Sequence, residues 1–211
     1  MILKTFVEPP IGNNNYLLID EESKEAALID CSSIDDEITK TIKHYDAKLK
    51  YILLTHGHFD HIAGISYWQN NSPLTQDGEL EVLLHFDDMI QVRNVNRYMP
   101  MFGMPEITVP RIDRFVKDGE IIKLGNLEIK VIHTPGHTQG GVCYYTDGKL
   151  FSGDTIFRES VGRCDLDGGD FNQIAESIKT KIFTLPPETQ IFPGHGKFST
   201  VEWEIEHNQF M

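Results

Sequence analysis

An α/β fold of two sheets packed face to face, with helices over their outer surfaces, is what this chain predicts. Two observations lead there. Both halves of the sequence are dense in short apolar runs bounded by Gly, Asn, Asp or Pro, the pattern of strands. In each half these runs are joined or followed by longer segments whose apolar residues recur every three or four positions, the pattern of helices with one buried face. Strand-rich halves that each carry helices bury their apolar faces by stacking sheet on sheet with the helices outside.

The first strands are expected at 3–7, 16–19 and 26–29. A helix over about 35–47 follows, with Ile34, Ile38, Ile42 and Tyr45 at helical spacing and acidic residues in its first turn. That stripe reads as core packing. A strand at 51–54 runs into a histidine-rich turn and a short helix over about 61–68. Residues 69–118 are the least regular, with a strand near 82–84 and a helix over about 87–98. Residues 99–105 are expected to be an irregular loop, because Pro100, Gly103 and Pro105 oppose a regular element. Its methionines and Phe102 suit either an adaptable substrate wall or a plug at the edge of the core. In the second half strands are expected at 120–124, 127–132, 142–145, 150–152 and 190–192, with Gly125-Asn126 and Asp147-Gly148 as hairpin turns. A helix over about 171–183 turns Ile174, Ile178 and Ile182 inward, and another over about 201–209 closes the chain.

At 211 residues the chain suits one domain, 1–211, with a sizeable core. Its 40% hydrophobic and 24% charged residues are ordinary for a soluble protein, and no apolar run is long enough to span a bilayer. No secretory leader opens it. Cys31, Cys143 and Cys164 are odd in number and widely spaced, which argues against a disulfide framework and for a reducing, cytoplasmic setting. Cys31 and Cys143 read as small packed residues, and nothing near Cys164 resembles a cysteine-hydrolase pattern. A net charge of −13 without a Lys/Arg stripe excludes nucleic acid as the main partner. It permits a small anionic substrate, since bound metal ions dominate the field of their own site. Oligomeric state leaves no mark in the sequence.

The run His56-Gly57-His58-Phe59-Asp60-His61 sets three imidazoles and a carboxylate into six positions directly after an apolar strand. These are the ligands that divalent transition metals take. Side chains alternate along an extended chain, so His56, His58 and Asp60 are expected on one side, with His61 left to serve a second metal. Three further motifs stand where strands end: Thr134-Pro135-Gly136-His137-Thr138, Ser152-Gly153-Asp154-Thr155 and Pro193-Gly194-His195-Gly196. Each puts one ligand-type residue beside glycine, which allows sharp turns and close backbone approach. Together the four motifs supply five histidines and two aspartates, enough for two metal ions with room for water. His44 and His207 read as solvated helix residues, and His85 and His133 as core or supporting residues.

In this order the motifs resemble the five-motif signature of the metallo-β-lactamase superfamily over nearly the whole chain, in the H-x-H-x-D-H form of its hydrolytic, dinuclear branch. The resemblance implies a four-layer αββα sandwich of two mixed sheets, with the metals at one edge between them. It implies His56, His58 and His137 on one metal, Asp60, His61 and His195 on the other, and Asp154 bridging. Asp30 resembles the aspartate of the first motif, which supports the ligands from behind. The segment from Gly153 to Asp165 is similar to the G-D-T-L-F…G-R-x-D segment of short bacterial glyoxalase II-like hydrolases. There Arg163 matches a basic residue that contacts the glycine carboxylate of glutathione, a shape a guanidinium suits. Asp165 stands where those enzymes carry a tyrosine, and the sequence ends at Met211 without the helical domain that completes the glutathione site in longer relatives. An ion pair of Arg163 with Asp165 or Asp167 is the competing reading.

The chemistry so implied is hydrolysis of a small-molecule thioester or ester, S-acylglutathione among them. Two divalent ions, zinc first and iron or manganese otherwise, would hold a bridging hydroxide from water whose pKa falls to ~7. Asp60 and Asp154 are its expected catalytic carboxylates, neutralising the ions and orienting the nucleophile. A thiolate with a pKa near ~8.5 leaves with little protonation help, which favours thioester over lactam. The alternative is a persulfide dioxygenase acting on glutathione persulfide, a class that resembles the chain in the same motifs and would use one iron on His56, His137 and Asp154. A non-catalytic metal module ranks below both, because a structural zinc site closes with four ligands.

Overall fold

The structure, a computed structural model, describes residues 1–9, 11–33, 36–71 and 80–211. Six strands form the first sheet in sequential order: β1 (Ile2–Glu8), β2 (Asn13–Ile19), β3 (Glu25–Ile29), β4 (Lys48–Leu53), β5 (Glu81–His85) and β6 (Arg114–Val116). The first three pair antiparallel and the rest parallel. Six more form the second sheet: β7 (Ile121–Leu124), β8 (Leu127–His133), β9 (Val142–Thr146), β10 (Lys149–Gly153), β13 (Gln190–Pro193) and β14 (Ser199–Thr200). Its strands run antiparallel except where β10 meets β13. A two-strand ribbon, β11 (Ile156–Phe157) and β12 (Ser160–Val161), stands apart.

Every residue of β2 is buried, because both faces of its sheet are covered. Tyr16 and Leu18 face the second sheet and pack with Phe151 and Phe192, while Leu17 and Ile19 face the outer helices. The rings of Tyr16, Phe151 and Phe192 have centroids 5.2–5.7 Å apart at the middle of this inner layer. Over the first sheet lie α1 (Asp36–His44), α2 (Phe59–Ile62), α3 (Ile65–Asn71), α4 (Met89–Arg93) and α5 (Val95–Tyr98), with Ile38, Ile42 and Trp68 buried beneath. Over the second lie α6 (Phe171–Ser177) and α7 (Val201–His207). Ile174, Ile178 and Ile182 are fully buried there as expected, the last two on a π-turn that continues α6. The four-layer αββα architecture with mixed sheets is thus present.

Several boundaries differ for local reasons. The helix expected over 61–68 is split at Ala63-Gly64, because the Gly64 amide donates to the Cys31 carbonyl (2.9 Å) and the Cys31 amide to the His61 carbonyl (2.8 Å). The helix expected over 87–98 is a 3₁₀ turn followed by α4 and α5, broken at Asn94. Residues 99–102 are a 3₁₀ turn rather than irregular loop: Pro100 occupies its first turn, where no amide is needed, and Gly103 ends it at φ 70°. Strands β6, β11, β12 and β14, at two or three residues each, are too short to leave a periodic signal. Ile34 and the expected start of the first helix at 35 lie outside the described residues.

Phe151 lies in the aromatic heart of the inner layer, fully buried. Phe151→Ala is expected to cost about 3–5 kcal/mol of unfolding free energy, read from the midpoint shift in urea denaturation.

Candidate metal centre

The edge where strands of both sheets end gathers all seven predicted ligand-type residues. β4 delivers His56 and His58 and feeds directly into α2, which carries Asp60 and His61. β8 leads to His137, β10 to Asp154 and β13 to His195. The extended alternation expected for 56–60 is corrected here: α2 starts at Phe59, so Asp60 leaves the side of His56 and His58 and joins His61. Three groupings have ligand atoms within 4.8 Å of one another: His56, His58 and His137; His56, His61 and Asp154; and Asp60, His61 and His195. His58 Nδ1 lies 2.9 Å from His137 Nε2. Oδ2 of Asp154 stands between the groups, 3.6 Å from His137 Nε2 and 3.7 Å from His195 Nε2.

Three of the five imidazoles are aimed by what holds their other side. Asp30 accepts from the Thr55 amide (2.8 Å) and hydroxyl, and binds His61 Nδ1 at 2.7 Å, which leaves His61 Nε2 facing the cluster. Asp30 does this at φ 57°, a left-handed conformation that aspartate tolerates better than most residues. His137 Nδ1 donates to the Arg163 carbonyl (2.7 Å), leaving Nε2 inward. The Thr55 hydroxyl lies 3.1 Å from His56 Nδ1. His56 Nε2 and Asp154 Oδ1 are then buried without a hydrogen-bond partner. Buried polar atoms are rarely left so, and a donor set of imidazoles and carboxylates fits a divalent transition metal. Gly194 keeps this edge compact, since a Cβ there would collide with Asp154 and lie 2.8 Å from His61 Cε1.

Charge divides the cluster. Burial, then neighbouring imidazoles, hold His56 well below the usual histidine range, and burial with His137 brings His58 to about 3, so both are neutral at pH 7. Burial also opposes charge on His61, yet Asp30, Asp154 and Asp60 lift it well above that range. His195 is raised against burial by Asp60 and Asp154. Asp60 and Asp154 are lowered despite burial, chiefly by His61.

The structure adds positioning residues that the sequence reading missed. Asn14 donates from Nδ2 to the Pro193 (3.0 Å) and Gly196 (3.1 Å) carbonyls and so braces the His195 turn, and Asn13 Nδ2 lies 2.8 Å from His61 Nε2. Three successive asparagines opening a strand were their signal. Asp88 is buried and accepts from the Gly57 amide (2.8 Å), the Thr138 hydroxyl (2.8 Å) and the Gly140 amide (2.6 Å), pinning the first motif to the second. Nothing in its sequence neighbourhood marked it.

The other titratable residues fall as follows. His44 and His207 are exposed, Cys31 and Cys143 are buried, and burial pushes the Cys164 thiol up, away from nucleophile behaviour. His85 and His133 stack with centroids 4.2 Å apart and planes 12° apart. With Asp87 they form a further grouping of possible ligands, but parallel rings run their in-plane nitrogens side by side rather than onto one point. Asp88→Ala strands two amides and a hydroxyl; it is expected to cost about 3 kcal/mol in urea denaturation and to weaken metal uptake, read by metal content after dialysis.

Beside the cluster opens a cleft of about 550 Å³, lined by His58, Asp60, His137, Asp154 and His195 on one side and by mostly apolar residues with Arg163 on the other. Arg163 pairs with Asp165 through Nε (2.7 Å) and Nη2 (2.8 Å), which selects the ion-pair alternative for its resting state. Among the described residues no helix is long and apolar enough to cross a membrane.

Known proteins agree with this architecture. The chain is 31% identical to hydroxyacylglutathione hydrolase GloC of Haemophilus influenzae, over 93% of its length and 92% of the relative's. It is similar to the crystal structure of the BLEG-1 B3 metallo-beta-lactamase (TM-score 0.87, 33% identity, 99% of each chain covered). It is similar also to TTHA1623 in a di-iron-bound form (TM-score 0.84, 32% identity, 99% of this chain and 100% of that one). Residues 9–195 match the metallo-beta-lactamase superfamily, and with its αββα sandwich and edge cluster the chain belongs to that superfamily.

Proposed function

We propose that this chain is a hydrolase of thioesters or esters, one domain over 1–211, working with two divalent metal ions. The observation that carries the reading is the convergence of two ligand sets on one edge with Asp154 between them, beside a cleft. His56, His58 and His137 would hold one ion, Asp60, His61 and His195 the other, with Asp154 shared. Zinc is our first choice; iron or manganese would suit the same donors, and the di-iron form of TTHA1623 supports iron as an occupant. When bound, such ions supply Lewis acidity and acidify water to the nucleophile.

The chain's own residues do the rest. Asp60 and Asp154, held ionised beside His61, offset the metal charge and orient the attacking water. Asp30 and the Arg163 carbonyl fix the imidazoles, so little reorganisation is needed at reaction. The water oxygen joins the acyl carbon, the carbon–sulfur bond breaks, and the products are a carboxylic acid and a thiol. A thiolate leaves without a strong general acid, and among the described residues no lysine lines the cleft to serve an amide nitrogen. The similarity to GloC supports an S-acylglutathione type of substrate. A single-iron dioxygenase shares these motifs, so the hydrolase reading is preferred on the 31% identity to GloC rather than on the ligand set. The free cysteines among the described residues support a reducing, cytoplasmic setting.

His58→Ala is expected to lose metal, measured by elemental analysis, and at least ~10²-fold in thioester kcat/KM; full activity with metal depleted would overturn the scheme. Oxygen uptake on glutathione persulfide would overturn it as well. His61 and His195 are raised in the metal-free protein, so metal must displace their protons. Calorimetric zinc titration at pH 6.5 in buffers of different ionisation enthalpy should show about one to two protons released per chain, with affinity falling as pH drops.

A further inference from the structure

The cleft beside the cluster is built for an uncharged, chain-like group. Phe59 lies inside the ligand run, between His58 and Asp60, and packs at a 32° tilt against Phe102 of the 3₁₀ turn with centroids 4.8 Å apart. Phe102 and Met101 are 53% and 77% exposed, and both line the cleft, so the apolar wall runs from the cluster to the rim. Phe157, Val161 and Leu166 line it as well. Scattered exposed apolar residues mean little, but a contiguous set leading to a candidate reaction centre is a binding surface.

Charge points the same way. Among the described residues that line the cleft, Arg163 is the one arginine or lysine, and both of its paired nitrogens face Asp165. Arg97, beside the cleft residue Tyr98, is taken by Asp167 at 3.0 Å, and the Tyr98 hydroxyl also donates to that carboxylate (3.3 Å). A glutathione thioester brings two carboxylates to a rim whose guanidiniums already have partners. An alkyl chain brings none and gains contact with Phe59, Phe102 and Met101.

We infer that the substrate is a thioester or ester with an apolar arm of about six or more carbons, rather than a hydroxyacyl group on glutathione. This rests on the hydrolase reading and, within its thioester-or-ester class, departs from the glutathione type that the likeness to GloC supports. Asp165 then acts as a selectivity residue: by holding Arg163 it withdraws the site's carboxylate anchor.

The test uses the zinc-loaded protein with two series of N-acetylcysteamine-sized thioesters, one lengthening the acyl chain from two to ten carbons and one lengthening the thiol side, against S-lactoylglutathione. Expected is a rise in kcat/KM of about tenfold per two methylenes in one series, which identifies the side carrying the arm. Phe102→Ala should flatten that slope. Asp165→Asn should raise kcat/KM for S-lactoylglutathione about threefold while the alkyl slope persists. Calorimetric binding of the matching octyl thioethers, which cannot be hydrolysed, reads the cleft independently of turnover. Equal rates along both series, thioethers binding no more tightly as they lengthen, or S-lactoylglutathione preferred tenfold over the octanoyl thioester would overturn the inference. Chain-dependent thioether binding with no hydrolysis of any ester would instead overturn the hydrolase reading and keep the apolar arm.

Discussion

Asp30 joins the end of one strand to the start of the site, and the arrangement of the edge depends on that bond. Its carboxylate meets the Thr55 amide, the Thr55 hydroxyl and His61 Nδ1, all buried. The Thr55 contact fixes where the β4 strand lets go of the sheet, and the His61 contact fixes how far α2 rotates once it starts. Those two settings place His58 and Asp60 in separate groupings, with His56 and His61 together in the one between. A buried carboxylate is costly unless its partners are complete, so this small network tolerates one geometry and not several. The left-handed backbone of Asp30 is sustained by the same bonds.

Much of this was legible in the sequence, for definite reasons. Strands with strong alternation and flanking glycine or asparagine, such as β2, β8 and β9, declare themselves because their burial is two-sided or regular. All seven ligand-type residues could be named because each stands at a strand end in a motif whose chemistry is unusual for a turn, and they converge here. What escaped was set by tertiary partners. The break between α2 and α3 follows from backbone groups engaged by Cys31, which no local propensity encodes. Asp88 looks like any helix-start aspartate until Gly57, Thr138 and Gly140 are found against it. Strand alternation groups Asp60 with His56 and His58, whereas α2 begins at Phe59, two residues before the expected helix, and sets Asp60 with His61 and His195.

The site therefore juxtaposes two kinds of order. On the cluster side, His56, His61 and His137 are aimed by directional hydrogen bonds to the Thr55 hydroxyl, Asp30 and the Arg163 carbonyl. On the cleft side, Phe102 and Met101 hang on a short turn closed by Gly103, where packing is loose and contacts are non-directional. Reaction type is a property of the first side and selectivity of the second. Relatives can share the cluster and diverge in the wall without disturbing the bonds that aim the imidazoles.

The inner seam between the sheets has a further consequence. His56, His58, Asp60 and His61 come from the first sheet, while His137, Asp154 and His195 come from the second. Each grouping at the edge draws on both. Neither half of the molecule can assemble a complete donor set, so a captured ion acts as a rivet across the seam. A complete donor set therefore exists only once the second sheet has docked on the first.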